Sequence, residues 1–270
     1  MSPVRLRRVA AVLLRHFYLI RGSLSRVFPL FVWVGIDMVL WGFISRYLGA
    51  AGAFRFSLVT ALLGAVLLWA FQARVMQGVT MAFFEDVWSR NFLNVFASPI
   101  RLSEYLGGLV LSSVATSAVG LAVMLLVAVA AFGLSFAPYG LSLAAFLGVL
   151  FLFGIALGIV GSAVVLRLGP AAEWFIWPIP AVLSPFACVF YPLATLPTWM
   201  RPAARLLPAS YVFEGMRAVL GGGRAPAGAL AAGAGLAVVY VLLACWLFRV
   251  VHRYAVRTGL IARYAAESVS

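Results

Sequence analysis

RVMQGVTMAFFEDVWSRNFLNVFASPIRLSE, residues Arg74–Glu104, is a polar stretch set between two long apolar runs. Around it the chain is 65% hydrophobic and 10% charged, with a mean hydropathy of +1.09. A water-soluble domain carries about 25% charged residues, so most of this surface faces lipid. The stretch therefore reads as a short, structured, charged element on one side of a membrane, where a soluble partner would dock. Glu85 and Asp86 open it with the negative charge that suits a helix N-terminus. Trp88 and Phe92 lie at i,i+4 on one face, Ser89, Arg90 and Asn91 offer donors, and Pro99 ends the element.

Working outward, a hydrocarbon core of about 30 Å takes about 20 helical residues. Six runs meet that length: residues 27–48, 56–73, 105–133, 139–166, 171–191 and 227–251. They are continuous rather than alternating at period two, which excludes a β-barrel. The expected fold is an all-α integral membrane protein, one domain over residues 1–270 with six transmembrane helices. Segments 1–26, 74–104 and 252–270 are richer in arginine than the segments on the other side. An excess of basic residues marks the cytoplasmic side, so both termini and the insert are expected there. In the first 26 residues Val9, Leu13, Phe17 and Ile20 recur at helical spacing, with Arg5, Arg8 and Arg15 elsewhere on the wheel. An amphipathic helix in the inner headgroup layer fits that period; a basic leader that only sets topology is the alternative.

Residues 192–226 are expected at the outer surface. Between Trp177 and Pro208 stand Pro178, Pro180, Pro185, Pro192, Pro197, Pro202 and Pro208. Each removes a donor and kinks a helix, and bare irregular backbone in lipid must be shielded by protein. The fifth span is thus expected to be broken and followed by re-entrant pieces. One such piece, 210–220, would pair Glu214 with Arg217 at i,i+3 and end at Gly221–Gly223.

Composition also excludes function classes. All 20 basic residues are arginines, so the lysine of a phosphate-binding Walker A loop is missing. No cofactor is expected on this chain, and ATP with its Mg would bind a partner. The net charge of +13 gathers at span ends, which favours anionic lipid headgroups over nucleic acid. Cys188 and Cys245 lie far apart without ligand-spaced histidines, so neither a disulfide framework nor a metal site is expected. HExxH is absent. Asp37 stands mid-span, where ionised side chains cost about 2.5–3.5 kcal/mol. It lines a pathway or dimer interface, or makes a structural hydrogen bond; the sequence leaves both open. Glu173, beside Trp174, either pairs with Arg167 or meets substrate headgroups. Trp33, Trp41, Trp69, Trp174, Trp177 and Trp199 read as interfacial anchors.

Two motifs carry a family resemblance. FFEDVWSRNFLNVFASPIRLSEYLGG resembles the cytoplasmic coupling helix of ABC-2-type permeases, the membrane subunits of ATP-binding-cassette exporters. YPLATLPTWMRPAARLLPASYVFEGMRAVL resembles their outer re-entrant region, with Pro197 and Trp199 in LP-x-W, Pro208 and Tyr211 in Pro-x-x-Tyr, and Glu214 and Arg217 in Glu-x-x-Arg. The resemblance implies an export permease in which two copies surround a central path and two separate P-loop ATPases sit on the cytoplasmic side. It makes Glu85, Asp86, Trp88, Ser89, Arg90, Asn91 and Phe92 the ATPase-coupling residues. Asp37, Glu173 and Trp174 become candidates for the pathway or dimer interface. The implied substrate is an amphiphile: a drug, or a lipid-linked or saccharide-like molecule. Arginine-only basic usage and high Ala and Gly content point to a GC-rich bacterial genome, and the expected location is the bacterial inner membrane. An ion-coupled secondary transporter or an assembly factor without an ATPase is the alternative.

Overall fold

The computed structural model describes residues 3–22, 56–89, 98–133 and 135–260, with residues 32, 35–36, 39–44 and 47 from the segment between. Among the described residues there are helices and no strands. Helix α1 is Pro3–Arg21, α2 Phe56–Trp88, α3 Leu102–Phe132 and α4 Ser142–Leu168. Short helices follow: α5 Glu173–Ile176, α6 Ile179–Leu183, α7 Arg201–Arg205 and α8 Pro208–Leu220. The long α9, Ala227–Arg257, comes last.

Four stretches are long and apolar enough to cross a membrane: Ala61–Trp88, Leu102–Phe132, Ser142–Leu168 and Ala227–Arg257. Two of the six expected spans are not among these four. Residues 27–48 lie largely outside the described residues, Asp37 and Trp33 among them. Residues 171–191 are no straight helix: α5 stops at Ile176 before Pro178, and α6 stops at Leu183 before Pro185. The prolines break this segment as their missing N–H groups require.

The long helices share a sense that their contacts fix. Asp86 of α2 meets Tyr105 of α3, and Gly78 meets Ser113, so these two are antiparallel. Gly154, Gly158 and Gly161 of α4 meet Gln72, Met76 and Thr80 of α2 in order, so α4 runs parallel to α2. Phe153 packs on Tyr240 with ring centroids 5.5 Å apart, and Arg167 lies 4.9 Å over the Tyr254 ring. Helix α9 is therefore parallel to α4. Trp88, Leu102, Leu168 and Arg257 accordingly share one end of the bundle, here called the arginine-rich end.

In lipid, apolar surface alone drives little helix association, and small residues let backbones pack closely. A Cβ on Gly154 would lie 2.8 Å from Gln72 O, and one on Gly158 would lie 2.7 Å from Met76 O. Thr80 Oγ1 uses this proximity, donating to Met76 O at 3.0 Å and to Gly158 O at 3.3 Å.

One boundary is corrected. The polar stretch does not leave the bundle at Arg74: α2 continues unbroken to Trp88. Its polar side chains are housed by neighbouring helices rather than by water. Arg74 is only 9% exposed, and Gln72, Thr80 and Asp86 are buried. Hydropathy registers the charge and cannot register the enclosure.

Candidate functional site

At the arginine-rich end, α2 and α3 are cross-tied on either side of the 89–101 connection. Asp86 is fully enclosed. Its Oδ1 accepts from Arg15 Nη1 of α1, and its Oδ2 accepts from the buried Tyr105 hydroxyl of α3 at 2.7 Å. Arg101, in extended conformation, caps α3, and its backbone N–H donates to Glu104 Oε2 at 2.9 Å. Arg8 Nη1 reaches the same oxygen at 3.3 Å. His16, also buried, sets Nδ1 3.0 Å from Val12 O and Nε2 2.9 Å from Ala82 O of α2.

Helix α1 is thus seated on protein by its charged face. Of the apolar stripe expected in the headgroup layer, Phe17 does point outward, but Val9 is turned into the protein. Val9, Val12 and His16 are buried, whereas Phe17 is 55% exposed. The reason is where the carboxylates lie: Asp86 and Glu104 draw Arg15 and Arg8 inward. This turns Leu6, Leu14, Phe17 and Tyr18 outward. The seat needs Gly108, since a Cβ there would lie 2.5 Å from Val12 Cβ. Gly108→Val is expected to unseat α1 while leaving α2–α4 packed. Limited proteolysis should then cut within residues 3–21 several-fold faster, and an unchanged cleavage rate would refute the seat.

Of the expected coupling residues, Glu85 is half-buried and Trp88 and Ser89 are exposed. Trp88 stacks on Phe84, with ring centroids 5.2 Å apart and planes at 22°. Asp86 is the correction. Its carboxylate faces the α1–α2–α3 junction and is spent on Arg15 and Tyr105, so it presents nothing to a docking partner. Arg90, Asn91 and Phe92 lie outside the described residues. Sequence reading missed Arg15, His16 and Tyr105, and the 71-residue separation of Arg15 from Asp86 leaves no periodic signal to find them by.

The opposite end carries a second polar knot. Glu214 Oε1 accepts from Leu193 N–H at 2.7 Å and from Arg217 Nη2 at 2.9 Å, so the expected i,i+3 pair forms. The Arg217 guanidinium also donates to Cys188 O at 2.8 Å and to Val189 O at 3.4 Å. These carbonyls flank a strained point: Cys188 has φ 56°, a region that costs a non-glycine residue about 1–2 kcal/mol. Tyr211 Oη donates to Arg205 O at 2.9 Å, tying α8 to α7. Pro208 opens α8, where its missing N–H would have had no helical partner. Pro197 and Trp199 are exposed, the latter by 73%.

Helix α8 buries Val212, Phe213 and Met216 among the ends of α2, α4 and α9. Phe213 lies 6.1 Å from Trp69 between ring centroids, and Gly233 of α9 admits Tyr211. Arg217→Ala would orphan two carbonyls and leave Glu214 with only the Leu193 N–H. Charged hydrogen bonds are worth about 1.5–3 kcal/mol, but Glu214 is exposed enough for water to recover part. A loss of about 1–2 kcal/mol is expected by thermal unfolding in detergent, and a wild-type melting profile would refute the knot's role. Glu173 accepts from Trp177 Nε1 at 3.0 Å, and Trp174 is exposed.

Long apolar helices, a helix wedged into one end and a charge-tied helix at the other define a multi-pass membrane protein. The chain belongs to the ABC-2 family of transporter proteins, whose model matches residues 42–246. It is accordingly a membrane permease of an ABC transporter, a component that works with an ATP-binding partner. None of the curated proteins compared with it matches.

Proposed function

We propose that this chain is the permease of an ATP-driven exporter, with separate ATPase subunits docking at the arginine-rich end. That end faces the cytoplasm of a bacterium, as the positive-inside rule requires. Two copies surround the path and two ATPases, which bind the ATP and Mg, drive them. The six spans are completed by residues 27–48 and by the broken segment 171–191. Helix α1 turns Leu6, Leu14, Phe17 and Tyr18 to the inner lipid layer. The cargo is an amphiphile: a drug, or a lipid-linked or saccharide-like molecule. Asp37, Glu173 and Trp174 are candidates to line the path or the dimer interface, and the knot at Glu214 and Arg217 closes its far side.

The observation that carries this reading is the cross-tie at the base of the insert. Asp86–Tyr105 joins α2 to α3, and Arg15 and Arg8 join both to α1. A push on the 89–101 connection therefore moves three helices as a unit. Contact with the ATPase falls to Glu85, Trp88, Ser89, Arg90, Asn91 and Phe92, while Asp86 transmits force from inside.

The test is affinity purification of the chain from mild detergent, with assay of the co-purifying ATPase. A stoichiometric P-loop ATPase is expected, lost in Trp88→Asp/Phe92→Asp with the bundle still folded. A folded chain that transports cargo along an ion gradient with no ATPase bound would replace this reading with a secondary transporter.

A further inference from the structure

Arg74 stands at the midpoint of the 28-residue apolar stretch Ala61–Trp88. Such a charge in a membrane span faces the bundle interior or a water-filled path and is normally paired. Here its Nε is enclosed without a hydrogen-bond partner. The described carboxylates are held elsewhere: Asp86 by Arg15 and Tyr105, Glu104 by Arg8, Glu173 by Trp177, Glu214 by Arg217. Glu85 lies three turns further along α2, about 16 Å away by helical rise.

The surroundings are shaped for this side chain. Its stem crosses α3 at Gly120, where a Cβ would lie 2.4 Å from Arg74 Cδ and 2.8 Å from Nε. On the same face of α3, Ser117 is buried and its Oγ also lacks a partner. Ser113, one turn on, is already satisfied by donating to Val75 O at 2.9 Å. A guanidinium is a rigid fork of donors with no acceptor. Fork and hydroxyl together match a group with two or three anionic oxygens, which the Arg fork can take two at a time.

We propose that Arg74, with Ser117 and the notch at Gly120, is a mid-membrane receptor for the phosphate or carboxylate group of an anionic amphiphile. This rests on the permease reading, in which the amphiphile is the cargo. The charge that would bar the helix from lipid becomes the contact that draws an anionic headgroup to the midpoint of its crossing. Selectivity follows: anionic amphiphiles bind and cationic ones of equal chain length do not.

The test uses the full chain in nanodiscs of neutral phosphatidylcholine, with empty discs as blanks, and needs no ATPase. A missing ATPase partner would therefore sink the exporter reading without touching this result. Fluorescent dodecyl phosphate is expected to bind saturably, one per chain, at least tenfold more tightly than fluorescent dodecyltrimethylammonium. Arg74→Gln should weaken the phosphate probe tenfold or more, with Arg74→Lys falling between. Ser117→Ala should weaken it a few-fold, and this small change serves if the Arg74 variants do not fold. Competition by millimolar inorganic phosphate separates sources: failure to compete supports an amphiphile site, whereas full competition overturns it in favour of a free-anion site. Equal binding by Arg74→Gln overturns the proposal. So does a wild type that binds no phosphate until Asp37→Asn is introduced, which would assign Arg74 to a permanent ion pair.

Discussion

Replacing Asp86 with alanine is expected to cost about 3 kcal/mol and to release α1 from the bundle. The carboxylate is fully enclosed, with Arg15 and Tyr105 as its two partners. Breaking a buried pair by removing one member costs about 3–5 kcal/mol, because the other charge is left uncompensated. Arg15 keeps partial access to solvent, which sets the effect at the lower end. Asp86→Asn keeps the shape and a carbonyl acceptor for Tyr105 while removing the charge, so it should cost less. The measurement is thermal unfolding in detergent, paired with proteolysis of residues 3–21. A double-mutant cycle with Arg15→Met isolates the pair: the two losses should fall well short of additive. An Asp86→Ala protein that melts with the wild type and protects α1 would remove the cross-tie from the account.

The second large effect is expected at Gly158. A Cβ there would sit 2.7 Å from both Met76 O and Val79 Cβ. The first of these is backbone and cannot rotate away. Gly158→Leu must therefore force α2 and α4 apart, also breaking the Thr80 bond to Gly158 O. Overpacking typically costs about 1–3 kcal/mol, and a backbone obstacle places this site at the top of that range. Gly148→Leu supplies the control. It lies on the same helix with nothing within 4 Å of its Cβ position, so it should melt with the wild type. Equal melting of the Gly158 and Gly148 variants would mean that the helices are not in the contact described.

Much of the bundle was legible because lipid imposes one rule, that a crossing helix be continuous and apolar. The runs at 105–133, 139–166 and 227–251 correspond to α3, α4 and α9 within a few residues at most ends. The proline series foretold the broken segment for the same reason, and local spacing sufficed to pair Glu214 with Arg217. What stayed hidden depends on neighbours far away in sequence. Arg74 reads as the edge of a span because its charge is visible and Gly120, which makes room for it, is just another glycine. Asp86 reads as surface because Arg15 and Tyr105 stand in other helices. The seat of α1 stayed hidden likewise: its apolar stripe was expected to lie in the headgroup layer, whereas Val9 is buried and Arg8 and Arg15 are tied to α3 and α2. In a membrane the outside is apolar as well, so buried carboxylates decide which way such a helix turns.

That inverted seating has a consequence for biosynthesis. Helix α1 leaves the ribosome before α2 and α3, and the carboxylate that holds Arg8 follows 96 residues later. At translation rates of about 5–20 residues per second, this delay is on the order of 5–20 s. Until α2 and α3 have emerged, Arg15 and Arg8 lack the carboxylates that hold them, and the greasy side of α1 can only rest against the bilayer. Helix α1 is thus made before its partners and placed after them, and the α2–α3 hairpin must be threaded before the nascent chain can close its base.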